Sequence, residues 1–201
     1  MDHFEVFGLP RRLSIDAEDL QRRFYELSRR HHPDFHQGAP AEEQARVLEA
    51  SARVNAAYRA LRDPIARIEY LVRLEEGRET KEGASLRPKA PPELLAEMFE
   101  IQEALQEAKA GGLDEGGRAR LAEERERLLA RHREEEARLC GPLAEAWDAG
   151  DAAGRARARA EFKASLAARA YLRAVIDDLT DAIGDRAAAL GEGEHVAHHR
   201  D

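Results

Sequence analysis

Between Arg29 and Gly38 the chain reads RRHHPDFHQG, which sets His31, His32, Asp34 and His36 within six residues around Pro33. Imidazoles and a carboxylate this close suit three kinds of chemistry: metal ligation, proton transfer by a His–Asp pair, or presentation of a charged loop to another protein. Metal ligation needs donors that converge. Here His31 falls on the apolar stripe of the preceding helix, His32 at its break and His36 in the loop beyond, with no cysteine or carboxylate at ligand spacing beside them. Proton transfer needs a cleft and a reacting partner, which a loop at the tip of a small helical domain does not supply. The plainest reading is a helix–loop–helix connection with a capping aspartate. No catalytic residue and no metal site are expected.

The elements around the loop are helical. The helix before it takes Asp16 as N-cap, with Glu18 and Asp19 in its positive first turn. Leu20, Phe24, Leu27 and His31 follow at i, i+4, i+7 and i+11 and form one stripe. Arg22 and Arg29 point almost opposite that stripe and Arg23 and Arg30 lie on its flank, so the helix has an apolar back and a basic front. Pro33 ends it and pushes His32 out of helical angles. The next helix runs from about Pro40 to Arg62 with a matching stripe of Val47, Ser51, Val54, Tyr58 and Leu61, which predicts an antiparallel hairpin. A short first helix, Asp2 to Leu9, carries Phe4 and Phe7 on one face and is stopped by Pro10. Asp63 caps a fourth helix with Pro64 at its first position and Ile65, Ile68, Leu71, Val72 and Leu74 on its apolar face.

Gly77, Gly83, Pro88, Pro91 and Pro92 mark residues 77–92 as a linker. Three more helices are expected: Glu93 to Lys109, Gly117 to Gly150 with a break at Gly141 and Pro142, and Ala152 to Leu190. Short loops between them predict an antiparallel three-helix bundle over 93–190. The last residues, 191–201, have no apolar period and read as a disordered tail whose His195, His198 and His199 are incidental. The fold class is thus all-α, in two domains, 1–76 and 93–190.

Composition agrees. Of 201 residues, 43% are hydrophobic, 36% charged and only 5% aromatic, which suits solvated helices and offers no strand pattern. A net charge of −8 argues against general nucleic-acid binding. A single cysteine, Cys140, cannot make an internal disulfide, which points to a reducing cytoplasm. The acidic start MDHFEVFGLP is not a signal peptide, and no apolar run approaches the ~20 residues that span a bilayer.

The tripeptide His32-Pro33-Asp34, its place between two long helices, and NAAYRALRDPIARIEYL from Asn55 to Leu71 resemble a J-domain, the module that activates the ATPase of DnaK-type chaperones. The resemblance implies that Asp34 pairs with an arginine of the ATPase, that Pro33 holds the loop rigid, that His32 orients it, and that Arg22, Arg23, Arg29 and Arg30 meet an acidic surface. The chain departs from the pattern in carrying Phe35 and His36 where many J-domains have Lys or Arg, which weakens the electrostatic part of that contact. General DnaJ-type chaperones continue with a Gly/Phe-rich segment and a cysteine-rich zinc region, and this chain has neither.

Instead comes PPELLAEMFEIQEALQEAK. As a helix it places Leu94, Met98, Ile101 and Leu105 on a core stripe. Glu93, Glu97, Glu100, Glu103 and Glu107 gather on the other side, and Leu95 and Phe99 lie between. Large apolar residues beside a single-sign stripe suggest a docking face, while the plain alternative has Leu95 and Phe99 covering the bundle edge. MDHFEVFGLP and LLAEMFEIQEALQE resemble the HscB family, co-chaperones of iron–sulfur cluster assembly. That resemblance implies a non-enzymatic protein with two partners, an HscA-like chaperone and an IscU-like scaffold. It implies scaffold contacts at Leu95, Ala96, Phe99, Glu100, Glu103 and Tyr171, with Ala96 smaller than the long apolar residue expected there. The cluster would belong to the scaffold, so no cofactor, nucleic acid or membrane is expected. A start directly at the J-domain favours a bacterial, cytoplasmic form.

Overall fold

The structure, a computed structural model, describes residues 1–77, 99–106 and 112–184. Among these residues every regular element is helical. The elements are α1 (His3–Val6), α2 (Ala17–Arg30), a 3₁₀ turn (Pro33–His36), α3 (Ala41–Arg62), α4 (Pro64–Glu75), α5 (residues 99–106), α6 (Glu115–Arg138), a π-helical turn (Leu139–Leu143), α7 (Ala144–Ala149) and α8 (Ala152–Ile183). The expected linker over 77–92, the first half of the fifth helix and the tail over 191–201 lie outside the described residues, apart from Gly77.

The chain divides into two compact units, Met1–Ala84 with Ala137–Lys163, and Ser85–Glu136 with Ala164–Asp201. The first holds α1 to α4. Asp2 opens α1 with a reciprocal capping box: its carboxylate accepts from the Glu5 amide while the Glu5 side chain accepts from the Asp2 amide. The expected end at Leu9 and Pro10 falls earlier. Gly8, at φ +61°, lets the Leu9 amide reach back to Phe4 O at 2.9 Å, and the helix closes there because only glycine adopts that backbone cheaply. Asp16 caps α2 through the Glu18 and Asp19 amides, and Asp63 caps α4 through Ala66, both as the sequence predicts. The α2–α3 hairpin closes on Leu20, Val47, Val54 and Leu61, with Phe24 stacked on Tyr58 at 4.0 Å.

Helix α4 is buried more widely than a single apolar face. Ile65, Ile68, Leu71 and Val72 are buried as expected, and so are Arg67 and Tyr70. Tyr70 stacks on His3 and accepts from its amide, and the Arg67 guanidinium donates to Leu61 O and Leu13 O. The second covered face exists because residues 139–143 pack against α4 within the same unit. There the expected break at Pro142 is a π-helical turn: the proline's missing donor is absorbed by one wide turn, while Leu139 and Leu143 stay buried on either side of it. Asp148 of α7 then accepts from the Leu13 amide, the Ser14 amide and Ser14 Oγ at 2.8, 2.8 and 2.6 Å, which fixes the loop before α2.

The second unit packs α5 against the adjoining parts of α6 and α8 through Ile101, Leu105, Leu128, Leu172, Ile176 and Leu179. Helix α8 ends at Ile183, short of the expected Leu190, where Gly184 turns to φ +88°.

Candidate functional site

Pro33 dictates the shape of the hairpin tip. His32 before it sits at φ −76°, ψ 126°, the extended region that proline imposes on its predecessor, and Pro33 opens the 3₁₀ turn as a preset first residue. The His32 ring caps that turn, its Nδ1 accepting from the Asp34 amide at 3.3 Å, while His32 O accepts from the Phe35 amide at 3.1 Å. Two side chains lace the rest of the loop. His36 Nε2 donates to Arg30 O at 3.1 Å, with its other nitrogen 3.8 Å from Glu43. Gln44 of α3 donates to both Gln37 O and Ala39 O. All of this fastening ties the loop to itself and to the flanking helices. The Asp34 carboxylate is 69% exposed and 3.6 Å from His32 Nδ1, and the Phe35 ring is 68% exposed and edge-on to His32, which is itself exposed, as is Pro33.

The four arginines of α2 are not equivalent. Arg22 pairs with Asp19 and stays largely exposed. Arg23 spends its fork inside the fold, Nε on Asp19 at 2.8 Å and a terminal nitrogen on Phe7 O at 2.9 Å, so it ties α2 to the end of α1. Arg29 and Arg30 are exposed, and among the described residues neither has an ion-pair partner. Sequence reasoning missed Tyr25. It is 62% exposed, and it stands three residues after Arg22 and four before Arg29, so the outward stripe is Arg–Tyr–Arg. That spacing was legible, but an aromatic on a charged face reads as noise until its exposure is known.

On α5, Ile101 and Leu105 are buried, and Phe99, Glu100 and Glu103 project away from them, Phe99 with 72% of its surface exposed. Tyr171 of α8 is half-buried and packs against the same core. Leu95 and Ala96 lie outside the described residues. The histidines of the tip do not converge: His31 is half-buried at the C-terminal cap of α2, and among the described residues no three metal-ligating side chains gather.

Residues 2–70 match the DnaJ domain, which covers α1 to most of α4 with the laced tip at its centre. Curated relatives include the "Co-chaperone protein HscB homolog" of Vibrio vulnificus strains YJ016 and CMCP6, each 36% identical over 111 residues, or 55% of this chain and 63% of the relative. Among solved structures, chaperone HscB from Vibrio cholerae is 27% identical with a TM-score of 0.56, spanning 94% of this chain and 99% of that one. Over residues 2–70 the chain carries a DnaJ domain, and it is similar to HscB co-chaperones. Human co-chaperone protein HscB, at 23% identity and a TM-score of 0.58 over 94% of this chain and 83% of its own, shares the fold. The chain spans under two thirds of the length of the curated HscB relatives it matches. Among the described residues no helix is long and apolar enough to cross a membrane.

Proposed function

We propose that the chain is a cytoplasmic co-chaperone that delivers an IscU-like iron–sulfur scaffold to an HscA-like, DnaK-type chaperone and stimulates that chaperone's ATPase. One observation carries the reading: an exposed carboxylate on a proline-fixed turn whose backbone is tied by His32, His36 and Gln44. Such a group suits a charge-assisted hydrogen bond to an arginine of the ATPase. The turn is ordered before docking, so little conformational freedom is lost on binding. Arg22, Arg29 and Arg30, with Tyr25 among them, form the steering surface beside it, attracting an acidic partner at long range and losing that attraction as salt screens it. Arg23 contributes by holding α2 in place.

The outward face of α5 takes the scaffold. Phe99 supplies an aromatic anchor and Glu100 and Glu103 a matching charge, with Leu95, Ala96 and Tyr171 completing the contact. The chain has no catalytic step of its own: it couples scaffold loading to ATP hydrolysis, which closes the chaperone on its cargo and promotes cluster transfer. The cluster travels on the scaffold.

Steady-state turnover of the chaperone, measured with this chain alone, with scaffold alone and with both, tests the proposal. Stimulation by the pair beyond the product of the separate effects is the expected result. No stimulation by the chain, or additive behaviour, rejects it. If the chain stimulates but does not retain the scaffold in a pull-down, the client is another protein.

A further inference from the structure

The 3₁₀ turn exposes Pro33, Asp34 and Phe35, and the function proposed above gives the first a stiffening role, the second the charge and the third nothing. Asp34 carries the charge. Phe35, the next residue, is 68% exposed and meets the His32 ring edge-on, 5.8 Å between centroids. Phe99 of α5 is the second exposed phenylalanine, and three others sit in the core, Phe4, Phe7 and Phe162 being buried to 3% exposure or less. An aromatic in water forgoes the transfer free energy those residues gain. It is also held still, because Pro33, the His32 cap, the His36–Arg30 bond and the Gln44 bonds fix the backbone on both sides of it.

We infer that Phe35 is a specificity-determining anchor for the ATPase chaperone, entering an apolar recess beside the cation that receives Asp34. The inference rests on the co-chaperone reading and deepens it. A rigid aromatic with two side-chain torsions loses little entropy on docking, and aromatic side chains are enriched in interface cores. The position also selects among partners. Many J-domains carry a cation after the tripeptide, and a cation asks for an acidic surface. A phenylalanine at the same place asks for a greasy one, and it adds binding that salt does not screen. His36, the other residue that departs from the pattern, is turned inward to Arg30 O and is not part of this contact.

The test titrates the chain and its Asp34→Ala, Phe35→Ala, Phe35→Leu and Phe35→Lys variants into the DnaK-type chaperone of the same organism, reading ATP turnover at low and high salt. Phe35→Ala should raise the half-maximal concentration about tenfold, which is ~1.4 kcal/mol, and leave the stimulation at saturation unchanged. Phe35→Leu should recover most of that loss. Phe35→Lys should lose as much as alanine and respond more steeply to salt. Since Phe35 is exposed, circular dichroism of every variant should match the parent. Stimulation with an unchanged half-maximal concentration in Phe35→Ala overturns the anchor. So does a lowered plateau at an unchanged concentration, which would mean that the ring acts only by posing Asp34. If Phe35→Ala instead removes self-association of the chain and leaves stimulation untouched, the ring serves a second copy and the anchor falls. The two levels separate cleanly: a parent chain that never stimulates sinks the co-chaperone reading and the anchor with it, whereas loss in Asp34→Ala beside parental behaviour in Phe35→Ala sinks the anchor alone.

Discussion

At the hairpin tip an exposed phenylalanine follows a carboxylate, Asp34 then Phe35; on α5 an exposed phenylalanine precedes one, Phe99 then Glu100. The offers look alike and are held differently. The tip is kept in place by polar lacing through His32, His36 and Gln44, with hardly any apolar burial of its own. The α5 face is kept in place by the burial of Ile101 and Leu105 on the other side of the same helix. A site built on lacing depends on particular residue types at particular positions. A site built on burial depends on period, and its outward residues are free to vary.

Four experiments break or sharpen that contrast. The largest effect belongs to Asp34→Ala, which should abolish chaperone ATPase stimulation in a turnover assay while scaffold retention and helical content stay as in the parent. Undiminished stimulation would remove the tip from the mechanism. Next, Leu95→Ala with Phe99→Ala should cut scaffold retention tenfold or more, the loss typical of an anchor at ~1.4 kcal/mol or above, with scaffold-free ATPase stimulation intact. Unchanged retention would leave α5 as an ordinary solvated face.

The third test concerns the frame behind the tip. Asp148→Ala strands the Leu13 and Ser14 amides, and the loss of those bonds should destabilise the chain by about 1–3 kcal/mol in a urea titration. The α5 face has no such dependence, so scaffold retention should persist in native buffer. The smallest effect is that of pH. His132 of α6 is buried, and burial first, then the nearby Arg169 cation, hold its pKa below the ordinary histidine value; Glu136 opposes this at 4.0 Å, and Arg173 and Asp177 also face it from α8. The unfolded chain therefore binds a proton near pH 6.5 that the folded one refuses. Stability should be constant above that pH and fall as pH drops through 6.5 toward the folded value. Thermal melts from pH 7.5 to 5.5 would show the decline, and His132→Gln should reduce it, leaving the share of His3, whose pKa burial also lowers.

Much of this was legible in the residues. The caps at Asp16 and Asp63 are local devices, readable from the acid and the Pro64 that follows. The tip was legible because a His-Pro-Asp run between two matched stripes constrains its own backbone. The end of α1 was misread, since Pro10 looks like the stop and Gly8 is one. Arg23 was placed on the flank of the apolar stripe and still grouped with Arg22 in the basic front, because helical projection gives directions and not partners: its bond to Phe7 O joins residues 16 apart in sequence. Asp148 was invisible for the same reason more strongly, as its partners stand 134 and 135 positions away. The break expected at Pro142 is a widened turn because buried Leu139 and Leu143 hold the chain on course, and a lone proline does not announce its neighbours' burial.

Arg67 carries its charge into the interior and spends it on two carbonyls far apart in sequence, Leu61 O at the close of α3 and Leu13 O in the loop before α2. Opening either segment alone would leave a permanently charged guanidinium with half its acceptors gone. The two should then open together: amide deuteration around residues 13–15 and 61–67 would proceed as one cooperative event, well ahead of any exchange deep in the α2–α3 seam.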